Sequence, residues 1–243
     1  MSNILRLLSI ICLVAFPAFA ETPIASECQQ LIVVVSPDWQ SSKALLRCYE
    51  RKQEQWVESP QLSGPVQLGR HGLAWGLGEH QLSKVPGPTK VEGDGKAPAG
   101  VFSISQLWLR RGIRAPGGQG FRAQTIAPDT VAVDDPKSRF YNCIVDRDKV
   151  GFMDWKSAET MDIPDYDRVL VVTHNSERPV PGRGSCIFIH RWETSKTPTS
   201  GCTALAEDHL VRLLDWLQPK AQPRIVQLPE AEAESWQNRG WIP

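Results

Sequence analysis

The chain has no excess of charge of either sign. It contains 27 Lys and Arg against 27 Asp and Glu in 243 residues, which gives a formal net charge of +0. No basic run stands out along the chain. Domains that bind nucleic acid typically carry a basic patch or stripe. The charge balance therefore argues against nucleic acid as a partner.

The chain also lacks an apolar run long enough for a permanent membrane span, which needs about 20 residues. The apolar run Leu7 to Phe16 follows a short basic start and precedes Ala18-Phe19-Ala20, a small-x-small cleavage site. This order of segments is typical of a secretory signal peptide. We predict a signal peptide at residues 1–20 and a periplasmic or secreted mature chain without a membrane anchor.

Signatures of phosphate and metal binding are missing as well. The glycines of residues 69–78 do not form a Gly-x-Gly-x-x-Gly loop, so no nucleotide site is predicted. His71 and His80 have no carboxylate or cysteine cluster near them, so we interpret them as surface or loop residues rather than metal ligands. We expect neither a metal nor an organic cofactor.

The composition and the apolar patterns favour a mainly β protein. Nineteen prolines, 18 glycines and nine tryptophans accompany few helical patterns. Residues 28–57 read as an N-terminal β hairpin region, and the tail 229–243 is expected to pack on the surface or stay loose. Further strands are predicted at 168–173, at 223–228, and over the run that is bounded by Gly184 and ends at His190, with one helix at 206–217.

Residues 184–217 contain the pattern with the clearest chemistry. A short buried strand ends at His190, and Cys202 follows Gly201 at the junction between a loop and the predicted helix. The thiolate is the nucleophilic form of cysteine, and an imidazole with nearby backbone N–H groups can lower the thiol pKa. We therefore predict a nucleophilic Cys202 with His190 beside it and a lowered thiol pKa. A chance pairing is the alternative, since a His at a strand end is often structural.

The cysteine count bears on the same residue. Without Cys12 in the signal peptide, five cysteines remain, and an odd one in an oxidising compartment is a candidate free thiol. Cys28 and Cys48 flank the hairpin and could pair, and Cys143 with Cys186 is the second plausible disulfide. Pairing of Cys186 with Cys202 is less favoured if His190 touches Cys202, because four strand residues cover roughly 13 Å.

Three stretches in the same order resemble the YkuD-type L,D-transpeptidase catalytic domain. They are residues 69–78, residues 93–102, and Ile187 to His190 followed by Thr199-Ser200-Gly201-Cys202. The resemblance covers roughly residues 30–228, within a predicted catalytic domain at 21–228. It implies a mainly β sandwich or barrel with a short helix after the catalytic cysteine, acting on peptidoglycan stem peptides.

The resemblance also implies roles for single residues. Cys202 would be the nucleophile and His190 the general base, with an oxyanion hole at the Gly201 and Cys202 amides next to Ser200. The Arg191 carbonyl would hold the imidazole tautomer. Arg183 and Asn142 are further candidates for contacts with the substrate.

Two alternatives to a transpeptidase stay open. The common family motif is Ser-His-Gly-Cys, whereas Ser200 is followed directly by Gly201 here. The first alternative is a hydrolase on the same scaffold, either an L,D-carboxypeptidase or an amidase that frees protein from the wall. The second is an inactive wall-binding module. The expected partners are a stem peptide and, in one version, an envelope protein as acceptor.

Overall fold

The structure is a computed structural model that describes residues 22–80, 85–114 and 121–243. The predicted signal peptide lies outside the described residues. Of the described residues, 37% are in strands and 13% in helices, so the mainly β prediction is confirmed. No helix in the described ranges has the length and apolar character needed to cross a membrane.

Strands form most of the regular structure. They are β1 Gln30–Ser36, β2 Lys43–Lys52, β3 Gln55–Glu58, β4 Gly64–Gln67, β5 Leu73–Trp75, β6 Ala97–Arg110, β7 Ala123–Ile126, β8 Thr130–Val133, β9 Cys143–Asp146, β10 Glu159–Thr160, β11 Arg168–Val172, β12 Phe188–Arg191, β13 Thr203–Leu205 and β14 Arg224–Pro229. Two α-helices, α1 Glu207–Trp216 and α2 Glu230–Asn238, follow β13 and β14. Short 3₁₀ turns lie at Pro60–Leu62, Pro164–Tyr166 and Pro219–Ala221.

The main sheet closes on itself. Its strands run in the order β1-β14-β6-β11-β12-β13-β4-β2, and β2 pairs again with β1. Closure of this kind removes free sheet edges. Strands β5 and β7 add to the long strand β6, and β3 adds to β2. The predicted barrel is therefore present, and the hairpin β1–β2 closes it.

A second, three-stranded sheet has the order β10-β8-β9. We call this sheet the flap. Glu159 on β10 pairs with Ala132 on β8, and Cys143 on β9 pairs with Val133. Between the flap and the barrel lies a small buried cluster of Trp108, Ile126, Ala132, Met161, Tyr166, Val169, Phe188 and Cys202. The flap thus covers the part of the barrel that carries Cys202.

The larger apolar core fills the barrel and extends under both helices. Helix α1 buries His209, Leu210, Leu213 and Leu214 on one face, which follows from their helical spacing. Helix α2 buries Ala233 and Trp236, and Ile242 beyond it is also buried in this core. Of the two alternatives predicted for the tail at 229–243, the loose one is wrong, because the tail forms α2 and packs against the barrel. Its apolar residues are few, but they complete the barrel core.

Candidate active site

Strand pairing places Cys202. This residue directly precedes β13, which runs parallel to β12 with Ile189 opposite Thr203 and His190 opposite Ala204. Cys202 therefore lies beside Phe188, whose backbone N–H donates to Cys202 Sγ at 3.3 Å. The Thr199 hydroxyl donates to the Cys202 carbonyl at 2.7 Å and holds the preceding loop. The Cys202 thiol itself donates to the Cys186 carbonyl at 3.7 Å, so backbone groups contact the sulfur on two sides.

His190 is held in one tautomer. Its Nδ1 lies 2.7 Å from the Arg191 carbonyl oxygen, which can only accept a hydrogen bond. Nδ1 therefore carries the proton and Nε2 carries the lone pair. Nε2 is buried and has no hydrogen-bond partner among the residues that the structure describes. Burial lowers the pKa of His190. The imidazole is thus a neutral base with a free lone pair.

The thiol and the imidazole open into one pocket of about 410 Å³, a size suited to a small molecule or a short stretch of peptide. Phe188 and His190 are two residues apart, so their side chains share one face of the sheet. Strand geometry puts the Cα atoms of His190 and Cys202 on the order of 8 Å apart. The charged residues that also line the pocket are Arg70, Lys90, Glu92, Asp134, Glu159, Asp165 and Glu193.

The pKa of Cys202 moves opposite to our prediction. Burial, with a smaller contribution from the nearby Glu159 carboxylate, raises it to about 12. The Phe188 N–H and the Tyr166 hydroxyl act in the other direction without reversing the shift. The resting nucleophile is therefore a thiol rather than a thiolate. Its proton has to leave during the reaction, and the lone pair of His190 Nε2 is the acceptor that the pocket offers.

Tyr166 is the site residue that sequence reasoning missed. It ends the 3₁₀ turn Pro164–Tyr166, within a segment rich in aspartate. Its ring meets the His190 ring edge-on at a centroid distance of 4.9 Å. Its hydroxyl donates to Glu159 Oε1 at 2.9 Å. A lone tyrosine among acids just before strand β11 was the available signal.

The other residues proposed around the nucleophile have separate contacts. The Gly201 N–H donates to Thr199 Oγ1 at 3.1 Å, so an oxyanion could use it only by replacing that contact. Ser200 Oγ accepts from Arg70 Nη1 at 3.1 Å at the pocket surface. The Arg191 guanidinium donates from Nε to the Pro164 carbonyl at 2.9 Å. Arg191 thereby ties His190 to the turn that carries Tyr166.

Asn142 and Arg183, the two candidates for substrate contacts, do not line the pocket. Asn142 Nδ2 donates to the carbonyls of His174 and Asn175, and its Oδ1 accepts from the Cys186 N–H at 2.7 Å. Arg183 Nε donates to the Lys90 carbonyl at 3.1 Å. These contacts occupy the whole Asn142 amide. Asn142 therefore holds the pocket wall at Cys186, and a substrate contact by either residue stays a prediction.

Lys90 and Asp94 form a buried ion pair at the rim. Lys90 Nζ lies 2.6 Å from Asp94 Oδ1, and both side chains are nearly inaccessible to solvent. The Asp94 carboxylate also accepts the backbone N–H groups of Val91 and Lys96. The charge of Lys90 is thus compensated within its own loop. Exposed Arg70 is the cation with more freedom to meet a substrate.

The two predicted disulfides are absent: Cys28, Cys48, Cys143, Cys186 and Cys202 are all free thiols. In the β1–β2 register Ile32 pairs with Cys48, so the position opposite Cys28 would be Lys52. Four strand residues, about 13 Å, separate these positions, whereas disulfide Cα atoms lie within about 7 Å.

For the second pair, the side chains differ in direction. Cys186 Sγ approaches the Val133 carbonyl at 3.4 Å, while Cys143 is exposed on the flap. Cys186 is also not in a strand, since its backbone has a φ of 54°. Sequence symmetry and strand-like composition could not supply the register or the direction of these side chains.

His71 and His80, which the sequence did not favour as metal ligands, form hydrogen bonds with backbone groups. His71 Nδ1 lies 2.8 Å from the Asp94 carbonyl, and His80 Nδ1 accepts the Val101 N–H at 2.9 Å. His80 is buried rather than on the surface or in an open loop. Across the described part of the chain, no group of three or more His, Cys, Asp or Glu is arranged to hold a metal ion.

A family model described as the L,D-transpeptidase catalytic domain, YkuD, matches residues 30–226, which is most of the chain. Neither the comparison with curated proteins nor that with solved structures finds a match.

Proposed function

Because the chain belongs to the YkuD family of L,D-transpeptidase catalytic domains, we propose that it is a cysteine acyltransferase acting on peptidoglycan stem peptides. Cys202 is the nucleophile and His190 the general base. One observation carries this proposal. A buried thiol and a neutral imidazole with an unpartnered Nε2 line the same pocket.

Acylation begins with proton transfer. His190 Nε2 takes the Cys202 thiol proton as the sulfur attacks the carbonyl carbon of the stem-peptide bond to the terminal D-residue. The tetrahedral oxyanion accepts hydrogen bonds from the amides of Cys202 and Gly201, the latter released from Thr199. Each such donor often lowers the free energy of the transition state by about 3 kcal/mol. When the C–N bond breaks, His190 returns the proton to the leaving amine, and a Cys202 thioester remains.

The acceptor decides between transfer and hydrolysis. An amine that attacks the thioester forms a cross-link or attaches an envelope protein to the wall, and water instead releases a trimmed peptide. The hydrolase is therefore the alternative on the same residues. A free Cys202 in a pocket with His190 supports an enzyme over an inert wall-binding module. A peptidoglycan substrate and the predicted signal peptide at residues 1–20 support a periplasmic or secreted location for this activity.

The test is formation of an acyl-enzyme. The mature chain is incubated with a stem tetrapeptide, and the mass of the intact protein is recorded with time. We expect a covalent adduct on Cys202 that is lost in Cys202→Ala and kept in Cys143→Ala, the matched variant of an exposed thiol. An adduct that persists in Cys202→Ala would end the proposal.

The same reaction with and without an amine acceptor separates the two outcomes of the thioester. A new amide product that depends on the amine identifies a transferase. Release of the shortened peptide alone, at a rate that the amine does not change, identifies a hydrolase.

A further inference from the structure

Arg70 brings an uncompensated positive charge to the pocket. It lines the pocket together with Cys202, and its side chain is exposed. One of its five N–H groups donates to Ser200 Oγ at 3.1 Å. Within the described ranges no carboxylate forms an ion pair with Arg70, so its remaining N–H groups are accessible to a ligand.

The other cations around the nucleophile are already paired. Lys90, which also lines the pocket, lies 2.6 Å from the Asp94 carboxylate in its own loop. The guanidinium of Arg191 lies 3.7 Å and 3.8 Å from the carboxylates of two aspartates. An anionic group that enters the pocket therefore gains most at Arg70.

Backbone contacts connect Arg70 to the loop that carries the nucleophile. The Arg70 N–H donates to the Thr199 carbonyl at 2.8 Å, and the Thr199 N–H donates to the Leu68 carbonyl at 2.9 Å. The Thr199 hydroxyl in turn holds the Cys202 carbonyl. The Arg70 side chain lies against Gly95, where an added Cβ would be 3.1 Å from both Cγ and Nε of Arg70. The guanidinium thus has a defined place beside the nucleophile loop.

The proposed reaction brings a carboxylate to the same place. Cys202 attacks the carbonyl that precedes the terminal D-residue, and that residue ends in an ionised carboxylate at neutral pH. Only the nitrogen and Cα of the terminal residue separate the two carbon atoms, a span of less than about 4 Å. Ser200 and Cys202 are two residues apart, so their Cα atoms lie within about 7 Å. A guanidinium held at Ser200 can therefore reach the carboxylate while the sulfur meets the carbonyl.

The acids of the pocket favour the same orientation of the substrate. Asp134 and Glu159 line it from the flap, and Asp165 lines it from the 3₁₀ turn Pro164–Tyr166. Like charges repel, and they do so more strongly in a pocket than in open water. The favourable position for a substrate carboxylate in this pocket is therefore at Arg70.

We propose that Arg70 is a specificity-determining residue that binds the free carboxylate of the terminal D-residue through the N–H groups that Ser200 does not use. Hydrogen bonds between a guanidinium and a carboxylate are among the stronger ones in proteins. The inference rests on the proposed function and names the donor more closely. The donor peptide ends at the residue after the attacked carbonyl. A peptide that is extended by one residue, or capped as an amide, presents no charge to Arg70.

The test is peptide binding in the Cys202→Ala background, in which no acyl-enzyme can form. Isothermal titration calorimetry compares a stem tetrapeptide that has a free terminal carboxylate with the same peptide as a terminal carboxamide. We expect the Kd of the carboxamide to be about tenfold higher, the size of one charged hydrogen bond at an exposed site. Arg70→Gln should abolish this preference by weakening only the free acid. Arg70→Lys should keep part of it, because lysine keeps the charge but not the planar fork.

Arg178→Gln is the matched control, because Arg178 is an exposed arginine that does not line the pocket. It should retain the full preference for the free acid. If Arg70 only supports the loop through Ser200, Arg70→Gln weakens both peptides equally, and that result would overturn the proposal. A preference that survives Arg70→Gln, or no binding of either peptide, would overturn it as well. Formation of a Cys202 adduct alongside any of these results would leave the proposed function intact.

Discussion

Cys48 and Cys202 are both buried thiols, but they lie in different surroundings. Cys48 faces the large barrel core, where burial raises its pKa strongly. Cys202 lies in the small cluster under the flap, where burial also raises its pKa. The difference is in the neighbours: Cys202 has a pocket, an imidazole and a tyrosine hydroxyl. A raised thiol pKa therefore does not distinguish a structural cysteine from a nucleophile, whereas an adjacent unpartnered base does.

The largest expected effect comes from removing that base. His190→Gln keeps a polar side chain at the site but has no titratable lone pair to accept the thiol proton. We expect acyl-enzyme formation at pH 7 to slow by about 10³-fold, within the range of general base catalysis. The measurement is single-turnover mass spectrometry of the Cys202 adduct with a stem tetrapeptide.

The control for this variant is His209→Gln. His209 is buried in helix α1 and does not line the pocket, and its Nε2 contacts the Leu62 carbonyl at 2.6 Å. The His209→Gln substitution should alter stability and leave the acylation rate of the folded protein unchanged. Equal rates for His190→Gln and the unaltered chain would show that an adjacent base is not what distinguishes Cys202 from Cys48.

The sequence predicted those features that depend on local pattern. The helix predicted at 206–217 is correct to within one residue, because its apolar spacing is set by one element. The strand predicted to end at His190 is present, but it begins at Phe188 rather than directly after Gly184. Cys202 and His190 line one pocket because β12 and β13, two short strands close together in the sequence, pair in parallel.

Features that depend on distant segments were not predictable. Glu159 reaches Tyr166 only because the flap folds over the barrel, and Trp236 is buried only because α2 completes the core. The disulfide prediction failed for the same reason, since a hairpin symmetric about residue 38 and the actual register differ by four residues across the strands. Single-sequence patterns do not encode that register.

A second prediction concerns the pH dependence of the free energy of unfolding, which the buried His174 should influence. His174 is buried with Nδ1 accepting the Leu77 N–H and Nε2 donating to the Arg183 carbonyl. Burial lowers its pKa to about 4 from 6.5. Below pH 6.5 the unfolded chain takes up a proton that the folded chain refuses, so stability is full above pH 6.5 and falls as pH drops toward 4. The loss should reach about 3 kcal/mol.

Urea unfolding at pH 7.5 and pH 4.5 measures this change. Burial also lowers the pKa values of His80 and His190, so both contribute with the same sign. His174→Gln should flatten part of the pH dependence while retaining a polar contact in the barrel. A free energy of unfolding that rises between pH 7.5 and pH 4.5 would contradict the buried neutral state of these histidines.

The smallest effect is expected at Cys48, the structural member of the comparison. Cys48→Ser places a hydroxyl in an apolar site and should lower the free energy of unfolding by about 2 kcal/mol. Cys48→Ala loses packing without burying a polar group, so it should cost less. Neither variant should change the rate of Cys202 acylation. Intact mass under non-reducing conditions adds a direct check, since a Cys28–Cys48 bridge would remove two hydrogens. If the bridge is found, and both substitutions destabilise equally, then Cys48 is a disulfide partner and the register argument is wrong.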